Sequence, residues 1–486
     1  MIDGARSPAL RTVSLAAGVT ALYGTAAFAI FSLPLRADDV HAVVLLAATP
    51  LLLIGLYVVA NGVLGDRLFG ALTAIVYIFI AAAVFRVRDY DDKSIDLQVA
   101  AKLAAFGIIF ITNTIFFSFA LRRIRLPRLF FIWLVFFCAL IVCSLYAVKL
   151  SFALTCTILF LFCYLYAVYM TMWLSRLTAI QVMMAAALLL CVGSIFVYYA
   201  IPSIGVMQAW TPEAGFGEIG RMKGLTGSAN GIGFIAAFAL LLSVLYFRSF
   251  GTVGKLLAVG LVPSALACLI LSDNRSSMIA VVASIWLSVV FRRHVSAKLL
   301  VSVTLGLIGV AVLAAFPDQI FAMLSRSGNP EEITSVTGRS AIWSVVIQMW
   351  LQRPLYGYGY TSALAILPLD PRLFHVAAHA HNMYLELLFA GGLILLAVFL
   401  FAVVQTVLAI IRLRAVNEAA LLFFFMLRGL TEATPFSGMV GFSSLAFTLT
   451  VALVIAQLAA ARRFATVPAR RFSLAGAVPM PQQSPS

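Results

Sequence analysis

Five histidines occur in the chain, His41, His294, His375, His379 and His381, and three of them fall within HVAAHAHNMYLELLFAGGLILL at 375–396. Imidazole titrates near neutral pH and can accept a hydroxyl proton, so this stretch offers a general base. Three imidazoles also raise the question of zinc, but no Cys or Asp stands beside them at ligand spacing; a satisfied structural histidine is the plainer alternative. Asn382 suits the N-cap of the apolar run that follows, which would fix the backbone at His381. Glu386 lies one turn inside that run and needs a polar partner, for which His379, Arg339 and Arg428 are the candidates. His379 and His381 share a face only in extended backbone, since two helical steps diverge by about 200°. One of the pair is expected to act as the base.

Four arginines supply complementary chemistry. Arg221, Arg275, Arg339 and Arg428 each fall at or near the end of an apolar run. The guanidinium is a planar fork of donors that suits phosphate, and several together imply a polyanion. The alternative is interface snorkelling, or a structural pair such as Arg428 with Glu432 in LRGLTEATPF. Arg275, in LSDNRSSMIA, sits on a very short turn between two apolar runs, where ionisable residues usually face a polar cavity. In RMKGLTGSANGIG, Arg221 and Lys223 precede a glycine-rich turn that opens a helix, with Ser228 or Asn230 as its expected cap. A helix N-terminus offers unpaired N–H groups and a positive dipole end, which is a second anion cue.

The elements that position these residues must be membrane helices. Hydrophobic residues make up 63% of the 486 and charged residues only 10%, where a soluble chain carries about 25% charged. The mean hydropathy is +1.07. A helical span needs about 20 apolar residues, because lipid satisfies no backbone polar group. Long unbroken runs recur and the alternating pattern of a barrel is absent. The fold class expected is an all-α polytopic membrane protein with about fourteen transmembrane helices. They fall near 12–33, 40–61, 68–86, 99–121, 129–148, 151–174, 178–200, 229–248, 255–272, 276–292, 299–316, 383–411, 418–430 and 438–460. The first run is too long for a cleavable signal peptide. The six cysteines, Cys138, Cys143, Cys156, Cys163, Cys191 and Cys268, lie inside apolar runs and read as small hydrophobes.

With both termini cytoplasmic, 19 of the 33 basic residues but only three of the 18 acids (Asp3, Asp66, Glu418) fall on the inside. The net charge of +15 is therefore a topology signal, and no nucleic-acid partner is implied. Two external segments, 201–228 and roughly 317–382, are longer than the about 15 residues beyond which a structureless connection is usually functional. The second carries Trp343, Trp350, Tyr356, Tyr358 and Tyr360, and SAIWSVVIQMWLQ has helical apolar spacing. It is expected to be one long structured periplasmic loop lying against the membrane boundary. No internal repeat is evident, and the tail from Phe464 is expected to be disordered.

These pieces, in this order, resemble the O-antigen ligase and polymerase superfamily of bacterial GT-C-type membrane glycosyltransferases. The matching residues are RMKGLTGSAN at 221–230, Arg275 with its following serines, GRSAIW at 338–343, RPLYGYGY at 353–360 and AHAHNMYLELLFAGGL at 378–393. The resemblance covers roughly residues 200–435, and its wording is nearest exopolysaccharide and O-antigen polymerases. It implies a division into N-terminal transmembrane helices (1–200), a catalytic region (201–435) that includes periplasmic loop 317–382, a last transmembrane helix (436–463) and a cytoplasmic tail (464–486). It implies location in the bacterial inner membrane and a donor of oligosaccharide on undecaprenyl pyrophosphate, with the active site facing the periplasm. The acceptor would be a glycan or a lipid, and a chain-length regulator is a further partner. Transfer would be metal-independent and inverting, with no cofactor. Arg221, Lys223, Arg275, Arg339 and Arg428 would bind the pyrophosphate, His381 or His379 would deprotonate the acceptor, and Glu432 or Glu386 would orient a base or an arginine.

Polymerase and ligase share this chemistry. A transporter of the lipid-linked sugar is the alternative from another class. It would call for charged or broken helices near mid-membrane, inverted repeats and sites open to both sides. The unusual polar residues collect instead on the outer side, which favours an enzyme.

Overall fold

The computed structural model describes residues 66–84, 96–123, 126–211, 215–292, 339–373, 378–438 and 440–466. The spans expected at 12–33, 40–61 and 299–316 lie outside these, as do His41, His294 and His375, the first part of the long segment expected at 317–382 and the tail beyond 466.

The helices are α1 (Arg67–Ala82), α2 (Leu97–Arg123), α3 (Arg128–Ser144), α4 (Leu150–Tyr169), α5 (Arg176–Ala200), α6 (Ala229–Tyr246), α7 (Thr252–Leu271), α8 (Arg275–Arg292), α9 (Arg339–Gln352), α10 (Met383–Leu413), α11 (Val416–Arg428) and α12 (Phe442–Thr466). Among the described residues, seven are long and apolar enough to cross a membrane: α2, α4 with the wider turn that extends it to Leu174, α5, α6, α7, α10 and α12. Three more, α1, α3 and most of α8, are apolar but shorter. Each expected span within the described residues falls on a helix, and the weakest of them, 418–430, becomes the 13-residue α11.

One region departs from the all-helical expectation. The segment after α5 forms a hairpin of β1 (Val206–Thr211) and β2 (Gly215–Met222), antiparallel with Val206 opposite Met222. Six to eight residues carry too little periodicity to distinguish such a ribbon from a loop by pattern. The hairpin delivers Arg221 and the glycine-rich turn to the start of α6.

Lipid provides no hydrophobic drive between helices, so close packing and a few internal hydrogen bonds must hold them. Aromatic rings dominate that packing. Phe234 and Phe238 of α6 meet Phe424 and Phe425 of α11, and Trp133 of α3 packs on Phe399 and Phe447 while donating to Thr406 Oγ1 at 2.9 Å. At one end of the bundle, Arg176 at the start of α5 pairs with the buried Glu418 at 3.2 Å, and Tyr246 at the end of α6 donates to the same carboxylate at 3.0 Å. The opposite ends of α6 and α11, at Asn230 and Arg428, therefore share the other end of the bundle.

α10 is broken at Gly392, whose φ of 63° and ψ of −160° interrupt the helix. The loop RPLYGYGY fills the break. Tyr358 and Gly359 donate their amides to the carbonyls of Phe389 and Ala390, both at 2.8 Å, while Leu393 and Ile394 donate to Pro354 and Leu355 at 2.8 and 3.3 Å. Groups freed by the break are thus satisfied by protein, which is the condition for irregular backbone at membrane depth. A Cβ on Gly392 would lie 2.3 Å from the Leu355 carbonyl carbon. This backbone region is essentially restricted to glycine and costs other residues about 1–3 kcal/mol. Gly392→Ala is expected to lower the Tm of the detergent-solubilised protein, and an unchanged Tm would count against the loop–helix clamp. Below the clamp, Val345 and Val346 of α9 bury against Phe389, Leu367, Leu373 and Ala380, a small second core that seats the loop on α10.

Candidate functional site

Four helix ends converge at the end of the bundle that carries Asn230 and Arg428. They are the starts of α6, α8 and α10 and the end of α11, with the start of α9 arriving from the loop. Ser228 caps α6, accepting from Gly231 N at 3.0 Å, so of the two expected caps it is Ser228 that acts and Asn230 that is released. Asn382 caps α10 as expected, accepting from Tyr384 N and Leu385 N at 2.9 and 3.0 Å. The backbone reverses immediately before that cap, and His381 takes the left-handed φ of 47°. Ala380 is held at both polar groups: its amide donates to Glu386 Oε2 at 2.8 Å and its carbonyl accepts from Trp343 Nε1 at 3.0 Å. The partner of Glu386 is therefore a backbone N–H, not His379, Arg339 or Arg428. Helical side chains tilt toward the N-terminus, so a carboxylate in the first turn reaches back over the residues ahead of the cap.

Glu432, just beyond α11, is the centre of the cluster and is 3% exposed. Its Oε1 accepts from Arg339 Nη2 at 2.8 Å and from Asn230 Nδ2 at 3.0 Å. Its Oε2 lies 3.9 Å from His381 Nδ1, a distance in the ion-pair range and beyond a hydrogen bond. Burial pushes the Glu432 carboxyl up, but His381, Arg339 and Arg428 outweigh it and hold the group well below the usual carboxylate range. His381 Nδ1 is buried and has no hydrogen-bond partner, while its side chain is 23% exposed overall. The accessible part of the ring is consequently away from Nδ1. His379 lies beside it with ring centroids 4.2 Å apart and the ring planes tilted by 39°. Burial, and then the neighbouring His381, depress His379 to about 3, so it is neutral at physiological pH.

Arg428 is buried at the end of α11. Its Nε donates to Ser277 Oγ at 2.8 Å, Nη1 to Thr434 Oγ1 and Nη2 to the Asn230 carbonyl at 3.4 Å, with the guanidinium carbon 4.8 Å over the Phe234 ring. Arg221 donates to the Ser272 carbonyl from Nε at 2.9 Å and from Nη2 at 2.7 Å, to the Asp273 carbonyl at 3.1 Å and to Asn230 Oδ1 at 3.4 Å. Asn274 Nδ2 donates to the Asn230 carbonyl at 3.1 Å, joining the α7–α8 turn to α6. Arg275 pairs with Asp273 on that same turn at 3.1 Å. Lys223 is fixed through its amide to Gly205 O at 2.9 Å, with a half-buried side chain. Of the residues singled out by sequence, Arg221, Arg339, Arg428, Glu432, His379 and His381 come together around one carboxylate, with Arg275 and Lys223 on the turns that border them. Asn230, Asn274, Ser277, Thr434 and Trp343 were missed as site residues. Asn230 left a trace, as a second polar residue in a turn that needs only one cap, and Ser277 and Trp343 fall within the matching stretches without a role of their own.

A cavity of about 390 Å³ opens beside the cluster, lined among others by Lys102, Thr226, Ser228, Asn230, Thr434 and Ser437. Asn230 and Thr434 therefore face both the cavity and the charged cluster. Among the described residues, no group of three or more His, Cys, Asp or Glu side chains is arranged to hold a metal ion.

Curated proteins give no match to this chain. Residues 260–400 match the family model Wzy_C, described as O-Antigen ligase. The matched stretch contains the α7–α8 turn with Asp273 and Arg275, the start of α9 with Arg339, the GYGY loop, the histidine pair and the broken start of α10. Over these residues the chain resembles the O-antigen ligase and polymerase superfamily, and its long apolar helices are those of a multi-pass membrane protein.

Proposed function

We propose that the protein is an inverting, metal-independent glycosyltransferase that polymerises surface polysaccharide at the periplasmic face of the inner membrane, using oligosaccharide on undecaprenyl pyrophosphate as donor. The observation that carries this reading is the Glu432 constellation: one buried carboxylate held by Arg339 and Asn230, facing Nδ1 of a partly exposed histidine, with Arg428 and Arg221 on the same hub. In the reaction, the acceptor hydroxyl oxygen attacks the anomeric carbon from the face opposite the phosphate. His381 Nε2 takes the hydroxyl proton while Nδ1 is turned to Glu432. The bond from the anomeric carbon to the phosphate oxygen breaks, and undecaprenyl pyrophosphate leaves with the electron pair. Fixed guanidinium groups then stabilise the developing negative charge, the task a divalent cation performs in other glycosyltransferases. His379, buried and neutral, is less suited to this task than His381.

A second reading, transfer of the finished glycan to lipid A core or protein, is favoured by the description of the matching family as O-antigen ligase. Transport finds little support in the break in α10, because loop amides and carbonyls occupy it and leave no open backbone site. Purified protein supplied with lipid-linked repeat units, with and without lipid A core, separates the three. Longer glycans without core are expected. Product only with core would establish the ligase, and no glycan product in either arm would reject glycosyl transfer.

Arginine forks, not charge alone, are assigned to the pyrophosphate. Arg275→Lys and Arg339→Lys are each expected to lower kcat/KM by about 10- to 100-fold, corresponding to about 1.4–2.8 kcal/mol of lost transition-state binding. Wild-type kcat/KM in both variants would remove them from the anion site.

A further inference from the structure

We propose that Asn230 is the positioning residue that fixes the orientation of the Glu432 carboxylate toward His381. Asn230 is the second residue of α6, and Ser228 performs the capping, so its carboxamide is available for other work. Both ends of that carboxamide are engaged: Oδ1 accepts from Arg221 at 3.4 Å and Nδ2 donates to Glu432 Oε1 at 3.0 Å. The two neighbours fix its orientation, since a guanidinium only donates and a carboxylate only accepts. The backbone of Asn230 is pinned as well, its carbonyl accepting from Asn274 of the α7–α8 turn at 3.1 Å and from Arg428 of α11 at 3.4 Å.

The consequence falls on Glu432. Two donors, Arg339 and Asn230, converge on Oε1, so the carboxylate cannot rotate without breaking both bonds. The carboxylate plane is thereby held with its other oxygen directed at His381 Nδ1. Arg221 does not depend on Asn230 in the same way, because three of its hydrogen bonds go to the carbonyls of Ser272 and Asp273. Loss of the Asn230 donor should therefore disturb the proton-accepting histidine and leave anion binding in place. This role rests on the reading of His381 as the base and Glu432 as its partner.

Asn230→Asp is nearly isosteric, keeps an acceptor for Arg221 and places a second acceptor against Glu432 Oε1. A role in packing alone would tolerate it. In the purified full-length protein with undecaprenyl-pyrophosphate-linked repeat units, kcat is expected to fall about 10- to 100-fold while KM for the donor stays within about threefold, the size seen when partners that orient a reacting group are lost. Introduced into Glu432→Gln, the same substitution should cost less than about threefold, because the two residues act as one unit. Asn230→Ala, which removes the donor without adding charge, should show the same split between kcat and KM, and keeps the test valid should the Asp variant fail to fold. Wild-type kcat in either folded variant, or full multiplication of the losses in the double variant, overturns the proposal. His381→Ala in the same assay separates the two ideas. If it is inactive while the Asn230 variants are fully active, only the positioning role is rejected; if it turns over normally, the base assignment beneath that role is rejected too.

Discussion

His381→Ala should reduce glycan synthesis by about 10²- to 10⁴-fold, the usual contribution of a positioned general base. KM for the lipid-linked donor should change little, because the arginines assigned to the anion are held by carbonyls, hydroxyls and carboxylates, not by the imidazole. The fold should survive: the side chain is partly exposed, and the flanking backbone is fixed by Asn382, Glu386 and Trp343. One local complication is the φ of 47° at His381, a conformation that alanine adopts less readily than histidine. His381→Asn tolerates that backbone better and still lacks a base, so both variants should be inactive and the Asn form the more stable. Turnover near wild type in either would remove His381 from the chemistry.

Glu432→Gln should damage stability and activity together. Arg428 is buried and Arg339 nearly so, and the Glu432 carboxylate is the acid among them. Breaking a buried ion pair by removing one partner typically costs about 3–5 kcal/mol, because the remaining charge is left uncompensated. Activity should fall with it, since the neutral amide presents a donor to Arg339 or to His381 where an acceptor is required. The pH dependence has a definite sign. The folded group titrates below its ordinary range, so its stabilisation is fully present above the unfolded pKa of about 4.3 and is lost as pH falls below it. Thermal melts from pH 7 downward should therefore show an acid decline that begins near pH 5 in the wild type, and the Gln variant should lack the part due to this carboxylate. Parallel acid limbs in the two proteins would contradict the assignment of the buried charge.

How much of this can be read in the sequence depends on the residue. In a chain so poor in charge, each arginine at a helix end and each histidine at a helix mouth stands out, so Arg221, Arg339, Arg428, Glu432 and the histidine pair could be named from type and place alone. Their mutual geometry could not. Whether Glu386 or Glu432 would meet His381 depends on how the α11–α12 connection folds over α10, a long-range packing outcome with no local signature. The first-turn position of Glu386 pointed correctly to a need for a partner, but that need was met by the amide of Ala380. Spans were readable because membrane helices are long and uniformly apolar. The β1–β2 hairpin was not, since short strands leave too brief a pattern, nor was the break in α10, where two glycines within an apolar run look like small packing residues. The reason for GYGY and AGGL emerges only when the four hydrogen bonds between them are seen.

A glycosyl-transfer site at the Glu432 cluster couples every new linkage to release of the carrier. The decisive measurement follows glycan elongation and release of undecaprenyl pyrophosphate together, for the wild-type protein and His381→Ala reconstituted in lipid nanodiscs with undecaprenyl-pyrophosphate-linked repeat units. The expected result is longer glycan and one released undecaprenyl pyrophosphate per linkage in the wild type, and neither from a folded His381→Ala. Equal yields from the two proteins, or no release from either with or without an added acceptor, would contradict it.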